Sequence, residues 1–184
     1  MDAMIDLETL GLGPTAAVMQ IGAALFDTQV NRRVVSTVDD GFEINVSIAS
    51  ALIHGRAHVD QDTIEWWRKR PATNLSYVMS NERPLPEALD QLASWLKVNN
   101  VERVWGHGAA FDIAILEHAY RAVGMEVPWS HRDVRDTRTV FWLAERAGWK
   151  RPDTGEPSHT GLMDALAQAG EVLDALDRLR GVPF

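Results

Sequence analysis

The chain has 184 residues, of which 46% are hydrophobic, and 26 acidic against 18 basic side chains leave a formal charge of −8. A chain of that size can bury a core without a disulfide or metal staple, and with no cysteine at all it excludes disulfide scaffolds, thiol nucleophiles and cysteine-rich zinc sites. The acidic balance excludes a protein that grips duplex nucleic acid by a basic surface alone, but not one whose carboxylates gather divalent cations.

The N-terminus carries acids and no basic stretch before an apolar run, so no signal or transit peptide is expected. No apolar run approaches the roughly 20 residues that span a bilayer, and a cytoplasmic protein without membrane contact is expected. Residues 4–7 read as a strand, 11–14 as a glycine-proline turn, 18–26 as a second strand and 33–46 as a third, which makes a meander. The period then changes. Asp62 or Thr63 is expected to cap a helix over 64–70 that stops at Pro71, and 85–98 forms a longer amphipathic helix. Residues 101–105 make a strand ending in Gly106-His107-Gly108, followed by helical spacing over 111–123. A short strand around Val134 leads into a helix over 137–147, a polar loop over 148–158 and a helix from about 160 to 179. A meander followed by alternation predicts a single α/β domain over 1–184, with a central mixed five-stranded sheet flanked by helices. There is no internal repeat, and no G-x-G-x-x-G or Walker loop supports a nucleotide-cofactor site.

Asp6 and Glu8 lie two apart on the first strand, so both side chains point to one face. Like charges held together there suit a hard divalent cation; the alternative is a strand end emerging into solvent. Asp112 opens a helix just beyond a strand end, where it can cap the helix or, since sites in open α/β sheets gather at the carboxyl ends of strands, act as a ligand. His159 ends the polar loop and Asp164 follows five residues later in the last helix. An imidazole there can accept a proton from an activated water, or can be an ordinary capping residue. His54 and His58 are four apart but lack a third ligand, so zinc is not expected. His118 and His131 are read as surface or capping residues. His107 in the glycine turn either touches substrate or braces the turn.

Taken in order, MIDLET, WGHGAAFD and HTGLMD resemble the three motifs of DEDD-type 3′-5′ exonucleases, in the histidine (DEDDh) branch. MIDLETLG, DTIEWW and VWGHGAAFDIAILEHAY are similar to the exonuclease VIII-like exonucleases of phages and bacteria. The resemblance implies an RNase H-like fold in the cytoplasm of a bacterium or a phage-infected host. It implies Asp6, Glu8, Asp112 and Asp164 as ligands of two divalent cations, Mg²⁺ or Mn²⁺, with Asp6 shared, and His159 as general base. The expected reaction is hydrolysis of the terminal phosphodiester at the 3′ end of single-stranded DNA or RNA, releasing nucleoside 5′-monophosphates. Many relatives are expected to carry asparagine where His107 stands.

For the strand end, the resemblance implies that Leu10 and Gly11 press on the terminal base and that Thr9 hydrogen-bonds it, with Phe111 nearby. Trp66 and Trp67 are equally suited to packing and to base stacking; Trp95, Trp105, Trp142 and Trp149 are read as core or partly buried. Arg132, Arg135, Arg138, Arg146, Lys150 and Arg151 face only Asp133, Asp136 and Glu145 within 132–151, a basic stretch that either guides phosphates or is a solvated helix face. A nucleic-acid-binding or assembly module without turnover, and a short-oligonucleotide hydrolase, remain as alternatives. Self-association is compatible with the resemblance, but no apolar stripe marks an interface.

Overall fold

The structure is a computed structural model that describes residues 1–29, 36–153 and 158–181. Strand β1 (Asp2–Thr9) is central. β2 (Val18–Phe26) pairs with it antiparallel, and β3 (Phe42–Asn45) pairs antiparallel with β2. On the other side β4 (Arg103–Gly106) lies parallel to β1, and β5 (Val134–Asp136) parallel to β4. The order β3-β2-β1-β4-β5 is the expected mixed five-stranded sheet. Both faces of β1 and β2 are covered, so every residue of the two except Asp6 is buried, and β2 reads as an almost unbroken apolar run.

On one face lie α1 (Ile48–Ile53), α2 (Gln61–Arg68), α3 (Ala72–Val78), α4 (Leu85–Val98) and α5 (Asp112–Ala122). Ile5, Leu7 and Ile21 meet Trp67, Leu89, Leu92, Ile113 and Leu116 there. On the other lie α6 (Thr137–Arg146) and α7 (Gly161–Arg180), where Met4, Ala24 and Phe26 meet Phe141, Leu162, Ala165 and Val172. The i, i+2 alternation of β1 therefore sends Met4, Asp6 and Glu8 toward α7.

Several sequence expectations change. The third strand is short, starting at Phe42, and residues 33–35 of the expected span lie outside the described residues. α2 begins earlier than expected, with Asp60 as its N-cap residue; the Asp60 carboxylate bonds the Leu12 N–H at 3.0 Å instead of the helix. α1 and α3 were not expected: each is under eight residues, too short for a periodic apolar face. Trp142 is not packed but 56% exposed, on the outer side of α6. Among the described residues no helix is long and apolar enough to cross a membrane.

Candidate active site

β1 outruns its parallel neighbour. The β1–β4 pairing stops at Ile5 opposite Gly106, and the backbone of Leu7, beyond that end, hydrogen-bonds the Asp112 carboxylate. Asp112 reaches it from the first turn of α5 because Gly106 has no side chain: a Cβ there would stand 3.2 Å from Asp112 Oδ2. The glycine turn between them is tied to α6 by Asp136, which accepts from the Ala109 N–H at 2.6 Å and the Thr139 N–H at 3.3 Å.

The fourth carboxylate arrives on α7. Gly161 at the start of that helix packs directly on Gly22 of β2, where a Cβ would fall 1.9 Å from the Gly161 carbonyl carbon. The Gly161 N–H donates to Gln20 Oε1 at 2.7 Å. This close approach brings Asp164 up to β1, and ligand atoms of Glu8, His159 and Asp164 all lie within 4.8 Å of one another. Asp164 also shapes the preceding turn, accepting from the Ser158 N–H (2.9 Å), the Ser158 hydroxyl (2.8 Å) and the His159 N–H (3.1 Å). These bonds hold His159 in the left-handed region, φ 54°, where a non-glycine residue is uncommon. Its ring stands edge-on to Trp66, 4.9 Å between centroids.

Crowding these acids out of water disfavours their charge. Asp6 is pushed well above the usual carboxylate range, first by burial and then by Asp112 and Glu8. Glu8 rises to about 8 through burial, Asp164 and Asp112. Burial likewise lifts Asp112 to about 7, against the pull of backbone hydrogen bonds. An all-oxygen donor set with one imidazole at its edge, costly as bare anions, matches the chemistry of Mg²⁺ or Mn²⁺, whose charge would offset the repulsion. The residues present fit such ions.

Two cavities flank Glu8. One, about 550 Å³, contains Asp6, Glu8, His107, His159 and Asp164 in its wall. The other, about 420 Å³, is lined by Leu7, Glu8, Thr9, Leu12, Asp62, Thr63, Trp66, Trp67 and Phe111. Leu10 and Gly11 line neither: Leu10 is buried in the core and Gly11 is pressed against Asp60, His58 and Ala16, while Leu12 lines the second cavity. The Thr9 hydroxyl donates to the Gly11 carbonyl at 2.7 Å. The tryptophan pair divides. Trp67 is 2% exposed and its indole N–H holds the Thr9 carbonyl at 3.0 Å, whereas Trp66 is 36% exposed with the Arg70 guanidinium 4.2 Å from its ring centroid. His107 both lines a cavity and braces the turn, its Nδ1 being 2.7 Å from the Thr137 hydroxyl.

Sequence reading missed Gln168, whose side-chain N–H donates to Asp6 Oδ1 at 2.7 Å while its own oxygen is buried without a partner among the described residues. The available signal was its place four residues after Asp164, a polar side chain in an alanine-rich helix.

Comparison with known proteins accords with this geometry. Residues 1–175 match the family described as the 3′-5′ exoribonuclease Rv2179c-like domain. An exodeoxyribonuclease of Enterobacteria phage T4 is 28% identical over 130 residues, 66% of this chain, and the chain spans 56% of that relative's length. The solved structure of S. pombe Pop2p in its Mg²⁺ and Mn²⁺ bound form superposes with a TM-score of 0.56 at 13% identity, covering 94% of this chain and 81% of that one. That last likeness concerns the fold, which is RNase H-like. Fold and family match together define a domain of the 3′-5′ exoribonuclease-like class. Within that class, the chain belongs to the Rv2179c-like 3′-5′ exoribonuclease domain family.

Proposed function

We propose that the protein removes nucleotides from the 3′ end of a single strand, hydrolysing the last phosphodiester with two divalent cations and releasing nucleoside 5′-monophosphates. The observation that carries this reading is the convergence of Asp6 and Glu8 from β1, Asp112 from α5 and Asp164 from α7, with His159 beside them. Asp6, Glu8, Asp112 and Asp164 would hold the ions, whose charge would offset the mutual repulsion of these carboxylates. Bound there, the ions would lower the pKa of a water and neutralise charge growing on the leaving oxygen.

The remaining work falls to the chain's own groups. His159 is the proton acceptor, its backbone N–H bonded to Asp164 and its ring against Trp66. The apolar cavity between Leu12, Trp66 and Phe111 receives the terminal nucleoside, with Asp62 and Thr63 offering polar atoms at its wall. Gln168 keeps the Asp6 carboxylate aimed. The phage relative bears the name of a DNA-degrading enzyme and the family that of an RNA-degrading one, so the sugar must be tested directly.

The test is a time course with Mg²⁺ or Mn²⁺ on matched DNA and RNA strands labelled at either end. A 3′ label should appear at once as mononucleotide and a 5′ label as a descending ladder, with Asp6→Asn and His159→Ala each slower by about a hundredfold or more. Strand binding without product would instead establish a binding module.

A further inference from the structure

The larger cavity extends past Asp6 and Glu8 to Arg151, which lines it beside Pro152, Asp153 and Glu171. Asp164, Gln168 and Glu171 recur at i, i+4 and i+7 along α7 and all line it, a polar face about 10 Å long. At its far end Arg151 donates to Glu171 Oε2 from Nε at 3.1 Å and Nη2 at 2.8 Å. The guanidinium also sits 5.1 Å from the centroid of the Phe141 ring. Glu171 is only 5% exposed, while the Arg151 side chain is 44% exposed. A carboxylate buried among core residues is a poor device for stability alone. Here it fixes a long side chain at the cavity wall, using two of the five guanidinium N–H donors among the described residues. Across the glycine turn Arg138 lies against Gly108, its guanidinium carbon 3.1 Å from where a Cβ would stand. His107, also in the cavity wall, has its pKa lowered by burial and then by Arg151 and Arg138, with Glu171 and Asp136 acting the other way. Arg132, Arg135, Arg138 and Arg146 of the basic stretch are not in the cavity wall, where Arg151 stands.

We propose that Arg151, held by Glu171 and Phe141 and aided by Arg138, forms a subsite for a phosphodiester upstream of the scissile one. The enzyme then recognises an oligonucleotide and not its terminal nucleotide alone. This rests on the exonuclease reading above, since it takes the strand's 3′ end to lie at the carboxylates. A planar guanidinium suits a phosphate, and a single pair of well-placed cations lets an acidic protein hold a polyanion.

The experiment measures kcat and KM on a length series starting from a dinucleoside monophosphate, whose only phosphodiester is the scissile one. In the wild type kcat/KM should rise by about tenfold once upstream phosphates are added, mainly through KM. In Arg151→Gln that gain should shrink to about twofold, and the slope of log KM against log salt on the longer strands should flatten by about 0.7. Glu171→Gln should give a smaller loss of the same kind. Arg138→Gln, at an exposed position, supplies a second variant should either of the others fail to fold. A wild-type kcat/KM that is flat or falls with length, or an Arg151→Gln loss equal on every length, overturns the subsite while leaving the exonuclease reading standing. Absence of any product at any length removes both.

Discussion

Replacing Glu8 by glutamine should make the metal-free protein more stable at alkaline pH while disabling it as an enzyme. Glu8 is 7% exposed and its pKa stands at about 8, against 4.5 for a free side chain. Below about pH 4.5 both folded and unfolded chains carry the proton, and the acid costs nothing. As pH rises from there to about 8 the unfolded chain releases its proton first, so stability declines across that window and levels off above it. At 1.36 kcal/mol per unit the full shift sets a ceiling of about 5 kcal/mol. Water in the adjoining cavity screens part of it, leaving about 2–3 kcal/mol, or about 5–10 °C in Tm for a domain of this size. Thermal melts in EDTA from pH 4.5 to 9 measure the difference between Glu8→Gln and wild type. It should be near zero at the acid end, grow in favour of the variant and reach a plateau by about pH 8. Mn²⁺ should raise the wild-type Tm and have far less effect on the variant, whose nuclease rate falls by about a hundredfold or more. A difference that stays constant across the window would refute the claim that burial of an anion is what strains this site.

Gln168→Leu removes the hydrogen bond to Asp6 without emptying the space, and should raise the Mn²⁺ concentration needed for half-maximal activity by about tenfold; an unchanged Mn²⁺ titration would mean that Asp6 needs no such support. Gly22→Ala drives a Cβ into the backbone of Gly161 and Leu162, so the urea midpoint should fall by the equivalent of about 3 kcal/mol or more, with activity lost as α7 lifts away. Trp66→Ala should weaken strand binding by about 1–3 kcal/mol, read as a higher KM at little cost in Tm, because this ring is partly exposed; Trp67→Ala should lower Tm strongly, because that indole is buried and holds Thr9.

Local pattern went far here. The bounds of β2 and α4 match the expected spans because an uninterrupted apolar run and a 14-residue amphipathic period leave little choice. It failed where a neighbour remote in sequence decides. Asp60 looks like any helix cap, yet its carboxylate is spent on Leu12, 48 residues away. Leu10 packs into the core while Leu12, two residues on, lines the cavity, a division that the run Leu10-Gly11-Leu12 does not itself announce. Nothing in the adjacent letters of Trp66 and Trp67 says which of them the core will take.

What the sequence determined by itself is the inventory of chemistry and its order: two acids in register on a strand, an acid opening a helix, and a histidine five residues before another acid. Residue type and backbone period suffice for that, since both are local properties. Only the tertiary structure decided that these groups meet at one cavity, that Gly22 and Gly161 let α7 approach closely enough to deliver Asp164, and that Gln168 and Arg151 complete the walls. The perturbed acids at Asp6, Glu8 and Asp112 follow from that enclosure, because the energy of a charge depends on what surrounds it in space and not on the residues beside it in the chain.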